Sequence, residues 1–203
     1  MQNNVLGHLT AVNFLTSVLV LLSSSLQGAI NSNSFSLEPT DLYIKKQISG
    51  ASGIYQILDA NTKQLDGVCS FDSDGRMETN RAAVFNRLVV RYGLGNDGDS
   101  PGGIDYVTAI PKELANAELE ILQDGDQVLR KSIKSLFASD GDKDSFNKNG
   151  DDHCELASIR LLRDEKDIKI NLRFPAGVAM PAAGAGTTPF IYVSLDALVT
   201  KKK

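Results

Sequence analysis

A mainly β protein is predicted by this sequence: an antiparallel β-sandwich, closed as a single jelly roll, behind an N-terminal helical or extended arm. Three observations predict it. The first charged side chain is Glu38, so residues 1–37 form an arm with none of the 21 Lys and Arg or 25 Asp and Glu of the 203-residue chain, and residues 38–203 form a body that holds them all. From residue 41 onward the apolar period shortens toward two, the period of a strand with one buried face. The apolar runs are separated by Gly, Asp, Asn and Pro rather than by the helical stretches of about 10–15 residues that a parallel sheet needs.

Composition narrows the function classes. Hydrophobic residues at 42% and charged residues at 23% are those of a globular chain. A net charge of -4, with Lys201-Lys202-Lys203 as the only basic run, argues against nucleic acid as a specific partner. Cys69 and Cys154 allow one disulfide or none, and with His8 and His153 they are too scattered for a four-ligand zinc site.

Within the arm, Val5, Leu9, Val12, Leu15, Leu19, Leu22 and Leu26 recur at three- and four-residue spacing, which lays them along one stripe of a helix. The opposite face is uncharged Asn, Thr and Ser, so the helix is expected against a protein or lipid surface. Two other readings stay open. Val18 to Leu22 followed by Ser23, Ser24 and Ser25 resembles the core of an export signal, although no Lys or Arg precedes it. A membrane span needs about 20 apolar residues in a row, and Asn13, Thr16 and Ser17 interrupt this stretch.

Strands are predicted in the body in order. Leu42 to Ile48, Ile54 to Leu58, Val84 to Tyr92 and Ile104 to Ile110 come first, with a turn over Pro111 to Asn116. Ala117 to Ile133 reads as a hairpin, because Asp124-Gly125 supplies the positive φ angles that a tight turn requires. Arg130 to Ala138 also reads as a short helix. Leu156 to Leu162 and the strictly alternating Ile168, Ile170, Leu172 and Phe174 are predicted to pair across the polar link Arg163 to Lys166. Phe190 to Leu195 is the last strand, after the uncharged stretch Pro175 to Gly186, which is either a loop or a surface for another subunit. Eight or nine strands with long connections at 93–103 and 139–152 suit a jelly roll better than an immunoglobulin-like sandwich.

Few residues carry a chemical signal. Gly93-Leu94-Gly95-Asn96-Asp97-Gly98 has the spacing of a dinucleotide-binding loop, but Asp99-Ser100-Pro101 follows where a helix should begin, so a surface loop is expected. Asp140, Asp142, Asp144 and Asp151 offer oxygens at alternate positions, a candidate calcium loop. Ser145 stands where an EF-hand needs glycine, which leaves a looser calcium site or a solvated acidic loop. His153-Cys154 is unsuited to nucleophilic catalysis, since neighbours on a strand point to opposite faces. Glu118 with Glu120, and Asp164 with Glu165, are expected to face solvent. No catalytic residue or cofactor is predicted, and the chain is expected not to be an enzyme.

The arm, the hairpin Leu119 to Leu129 and the closing strand Phe190-Ile191-Tyr192-Val193-Ser194-Leu195 together resemble the jelly-roll capsid proteins of tailless icosahedral phages, especially those with an internal lipid membrane. The likeness is one of pattern over residues 40–196, and those major capsid proteins usually carry two jelly rolls where this chain has room for one. It implies a bacteriophage virion protein, a capsid or minor capsid subunit partnered by itself and other shell subunits, with its arm reaching toward a neighbour or a lipid membrane. An apolar arm that buries its stripe between subunits gives the same expectation on physical grounds. The alternative is a secreted or cell-surface calcium-dependent binding module, lectin- or adhesin-like, whose N-terminal signal is cleaved.

Overall fold

The computed structural model describes residues 6–136 and 154–202. Among these the chain forms three α-helices, α1 (His8–Ser17), α2 (Ser24–Asn31) and α3 (Lys112–Ala115). It also forms eight strands: β1 (Phe35–Gln47), β2 (Ile54–Leu58), β3 (Ala83–Gly95), β4 (Glu118–Gln123), β5 (Asp126–Ser132), β6 (Cys154–Leu162), β7 (Ile168–Arg173) and β8 (Thr188–Lys202). They build two four-stranded antiparallel sheets, ordered β1-β8-β3-β6 and β2-β7-β4-β5. Four ladders are nested one inside another, β4 with β5, β3 with β6, β2 with β7 and β1 with β8. The chain is thus a long hairpin ribbon with the β4–β5 turn at its tip, rolled so that β3 also meets β8 and β4 also meets β7.

The two sheets share one core, and the alternation read from the sequence supplies it. Leu42 and Ile44 of β1, Phe85, Leu88 and Val90 of β3 and Ile191, Val193 and Leu195 of β8 meet Leu119, Ile121, Ile168, Ile170 and Leu172 of the opposing sheet. The turn at the tip is as expected, with Asp124 at φ 54° and Gly125 at φ 89°.

Several expectations are corrected. β6 and β7 do not form a hairpin: β6 pairs with β3, and β7 lies between β2 and β4 in the other sheet. Residues 163–167 cross between sheets, because the inward faces of both strands fill the core from opposite sides. Of the helix expected over 130–138, the described part is the end of β5, through Ser132, and a single 3-10 turn at Ile133–Ser135, while residues 137 and 138 lie outside the described residues. Pairing of Lys131 with Leu119 and of Ser132 with Glu118 outweighs local helix preference there. Of the strand expected at 104–110 only an isolated bridge between Thr108 and Tyr92 is found. β8 runs well past Leu195, to Lys202.

The N-terminal stripe is not one continuous helix. α1 ends at Ser17, a 3-10 turn covers Leu19–Leu21, and Leu22 is extended before Ser23 caps α2 by accepting the Leu26 N–H at 3.3 Å. The segment folds back on the outer face of the first sheet. There Leu6, Ala11, Leu15, Leu22, Leu26, Ala29 and Ile30 pack against Phe35 and Leu37 of β1, Ala82 and Val84 beside and within β3, and Leu198 of β8. Leu9, expected on the buried stripe, is 72% exposed. Phe35 already belongs to β1, so the sheet begins before the first charged residue. No described helix is long and apolar enough to cross a membrane.

Candidate functional site

Three zones follow one another along β1, β8 and β3 on the outer face of the first sheet. At one end lies the seat of the N-terminal segment. Its polar anchor is Asp164, from the 163–167 crossover, which is only 2% exposed. One Asp164 carboxylate oxygen accepts the Ser23 backbone N–H at 3.0 Å, and the other accepts the Ser23 hydroxyl. A carboxylate at the N-terminus of α2 satisfies an otherwise unpaired amide and meets the positive end of the helix dipole. Thus Asp164, expected to face solvent, is buried beneath the segment, while Glu165 is exposed.

In the middle zone Asp41 of β1, Asp196 of β8, Arg87 of β3 and Glu155 of β6 occupy one row across the sheet. Two carboxylates directly opposite would repel, and the Arg87 guanidinium reaches Asp196 at 3.1 Å to offset this.

At the far end, three tyrosines surround one ammonium. Lys45 Nζ lies 5.8 Å from the ring centre of Tyr43 and 5.7 Å from those of Tyr106 and Tyr192. The Arg91 guanidinium sits over Tyr192 at 6.0 Å. Cation–π contacts of this kind hold a charge against an otherwise apolar surface. Tyr106 is buried and donates its hydroxyl to the Pro101 carbonyl at 2.8 Å, and burial pushes its phenol well above the usual range. Tyr43 and Lys45 stand two apart on β1, but only the β1–β8 register and the return of the 96–110 loop bring Tyr192 and Tyr106 to them.

The glycine string has a structural explanation. Gly93 and Gly95 end β3, and a Cβ on Gly93 would stand 2.5 Å from the Asp105 carbonyl oxygen and 2.6 Å from the Ile104 side chain. The returning loop lies directly on these glycines. A 3-10 turn at Pro101–Gly103 follows, and no phosphate-binding helix does.

On the outer face of the second sheet, Glu120 is 4% exposed and accepts from Asn171 at 3.1 Å and from Arg173 at 3.1 and 3.2 Å. Burial works to raise its carboxyl, but the hydrogen bonds from Asn171 and Arg173, with the nearby positive charge, outweigh burial and leave it below the usual glutamate range. Glu118 pairs with Arg130 at 2.5 Å, at the edge of an open groove that also includes Ser132 and Arg173. The two glutamates expected in water are therefore both paired, one of them inside. Asp72 differs: burial dominates and lifts its carboxyl, despite the Glu78 N–H and Arg81 that contact it.

Asp140, Asp142, Asp144 and Asp151, the candidate calcium loop, and His153 lie outside the described residues. Among the described residues no group of three or more His, Cys, Asp or Glu is placed to hold a metal. Cys69, whose thiol burial pushes up, and Cys154 are both free thiols. The stretch 175–186 joins β7 to β8 and is tied to residues 50–52 by the Met180 N–H to Ala51 carbonyl bond at 2.8 Å and the Gly50 N–H to Pro181 carbonyl bond at 2.9 Å. Compared with known proteins, the chain matches no family model, no curated protein and no solved structure, and any functional reading rests on its own residues.

Proposed function

We propose that this protein is a non-enzymatic structural subunit, a single jelly roll that assembles with copies of itself into a shell as a capsid or minor capsid protein. The nested ladders support the jelly-roll part of the reading, since a rolled hairpin ribbon of eight strands is that wiring. The fold alone assigns no role. The observation that carries the assembly part is the outer side of the N-terminal segment. Its inward stripe is already covered by its own sheet, yet Leu9 at 72%, Val20 at 82% and Leu21 at 50% exposure remain uncovered on a segment without an Asp, Glu, Lys or Arg. Exposed apolar side chains on an uncharged segment favour a protein or lipid neighbour over water. In this role the protein resides in the virion, beside other shell subunits.

Sedimentation of the full chain tests the reading, beside a variant carrying Leu9→Ser, Val20→Ser and Leu21→Ser. The native chain is expected to associate as its concentration rises, and the variant to stay monomeric with an unchanged urea transition. A native chain that stays monomeric throughout overturns the proposal.

A further inference from the structure

The apolar seat beneath the N-terminal segment and the core of the sandwich share no buried residue. Each sheet face therefore has its own apolar layer, and the inner one is complete without residues 6–31. The segment is held by two things: the apolar contacts of Leu15, Leu22 and Leu26 with the outer face of β1, β3 and β8, and the double hydrogen bond of Ser23 to Asp164. Only residues 32–34 join it to β1. In that connection Asn33 holds a left-handed backbone, φ 53°, which asparagine tolerates at the end of a helix, and it marks the point where the chain turns from α2 into β1. The tight turn is closed by the Ser34 N–H to the Ala29 carbonyl at 2.8 Å and the Asn33 N–H to the Ile30 carbonyl at 3.1 Å.

We propose that residues 6–31 are an exchangeable arm: opening at Asn33 lets the segment of one copy occupy the seat of another, with Ser23 of the first bonded to Asp164 of the second. This deepens the assembly reading and rests on it. The occupant is specified by the seat itself. Asp164 is a buried carboxylate whose two oxygens both require donors, and Ser23 supplies the two with the spacing of a helix cap. When a segment lifts away, it uncovers Phe35, Leu37, Val84 and Leu198 on the sheet and its own stripe together, and the surface that matches both is the same pair on a second copy. Exchange of an identical element through a short hinge forms every contact of the closed chain again, so it needs no new interface beyond the opened hinge.

The test is a disulfide between chains. In a Cys154→Ser background, with Cys69 left buried, one chain carries Ser23→Cys and a second, differently tagged chain carries Asp164→Cys. They are co-expressed and oxidised, and a third chain carries both substitutions. Exchange predicts a covalent dimer bearing both tags, and no such dimer when Ser23→Cys is paired with exposed Asp97→Cys as a control. Monomers alone from the mixed chains, while the doubly substituted chain closes on itself, overturn the exchange. Absence of any cross-link, even in the doubly substituted chain, overturns it too, because the seat is then not where the segment binds. Light scattering on the native chain separates the two proposals: association without the mixed cross-link leaves the shell reading standing and removes exchange.

Discussion

Glu120 shows how one side chain sets a pH dependence. It is buried on the outer side of β4, opposite Asn171, and both its oxygens meet the Arg173 guanidinium. Its folded carboxyl titrates below the ordinary value of 4.5, so across that window the native state holds fewer protons than the unfolded chain. The stabilisation is complete above the ordinary value and is lost as pH falls through the lower folded value. Glu120→Gln is expected to cost about 1–3 kcal/mol at neutral pH, since the buried Asn171 amide and the half-buried Arg173 guanidinium lose the carboxylate they share. The gap to the native chain in urea unfolding should shrink as pH drops below the ordinary range. Asp72 works in the opposite sense, since a raised carboxyl favours the folded state at low pH and loses that contribution as pH rises through its folded value. Comparing native and variant chains at each pH cancels it. Parallel pH profiles for the two would refute the role given to Glu120. Nothing in the spacing of Glu118 and Glu120 announces this pairing, because the partners lie 51 and 53 positions away and depend on the β4–β7 register.

At the scale of elements, the N-terminal segment is the clearest case of a pattern legible in type but not in target. Its three- and four-residue spacing marks helix, and α1 and α2 follow. The spacing does not reveal the break at Leu22-Ser23, which Asp164 fixes from a distant crossover, nor that the stripe rotates away from Leu9 toward Ala11 and Leu15. Leu26→Ala is expected to cost about 2–5 kcal/mol, as for other fully buried leucines, whereas Leu9→Ala should leave monomer stability nearly unchanged. Urea unfolding of both variants decides this, and equal effects would place the segment elsewhere. β6 and β7 teach a related lesson. A four-residue polar link fits a hairpin and an arch between sheets equally well, and only the inward-facing residues of the whole ribbon select the arch.

For the whole molecule, the separation of the two apolar layers makes a specific statement about truncation. A chain beginning at Ser34 keeps every residue of the sandwich core while it exposes Phe35, Leu37, Val84 and Leu198. It is expected to retain cooperative unfolding and the far-ultraviolet signature of β-structure, but to bind hydrophobic dyes and associate non-specifically; a truncated chain that unfolds outright would mean the segment is integral to the sandwich. The sequence by itself determined the β class, most of the eight strands, the Asp124-Gly125 turn and the uncharged start, since all of these follow from local periodicity and turn chemistry. The tertiary structure decided which strands share a sheet, that the apolar stripe closes on its own outer face, and that Asp164, Glu120 and the Tyr43-Tyr106-Tyr192 cluster around Lys45 have partners. Those outcomes depend on contacts between residues far apart in the chain, whose free energy exists only once the ribbon has rolled up.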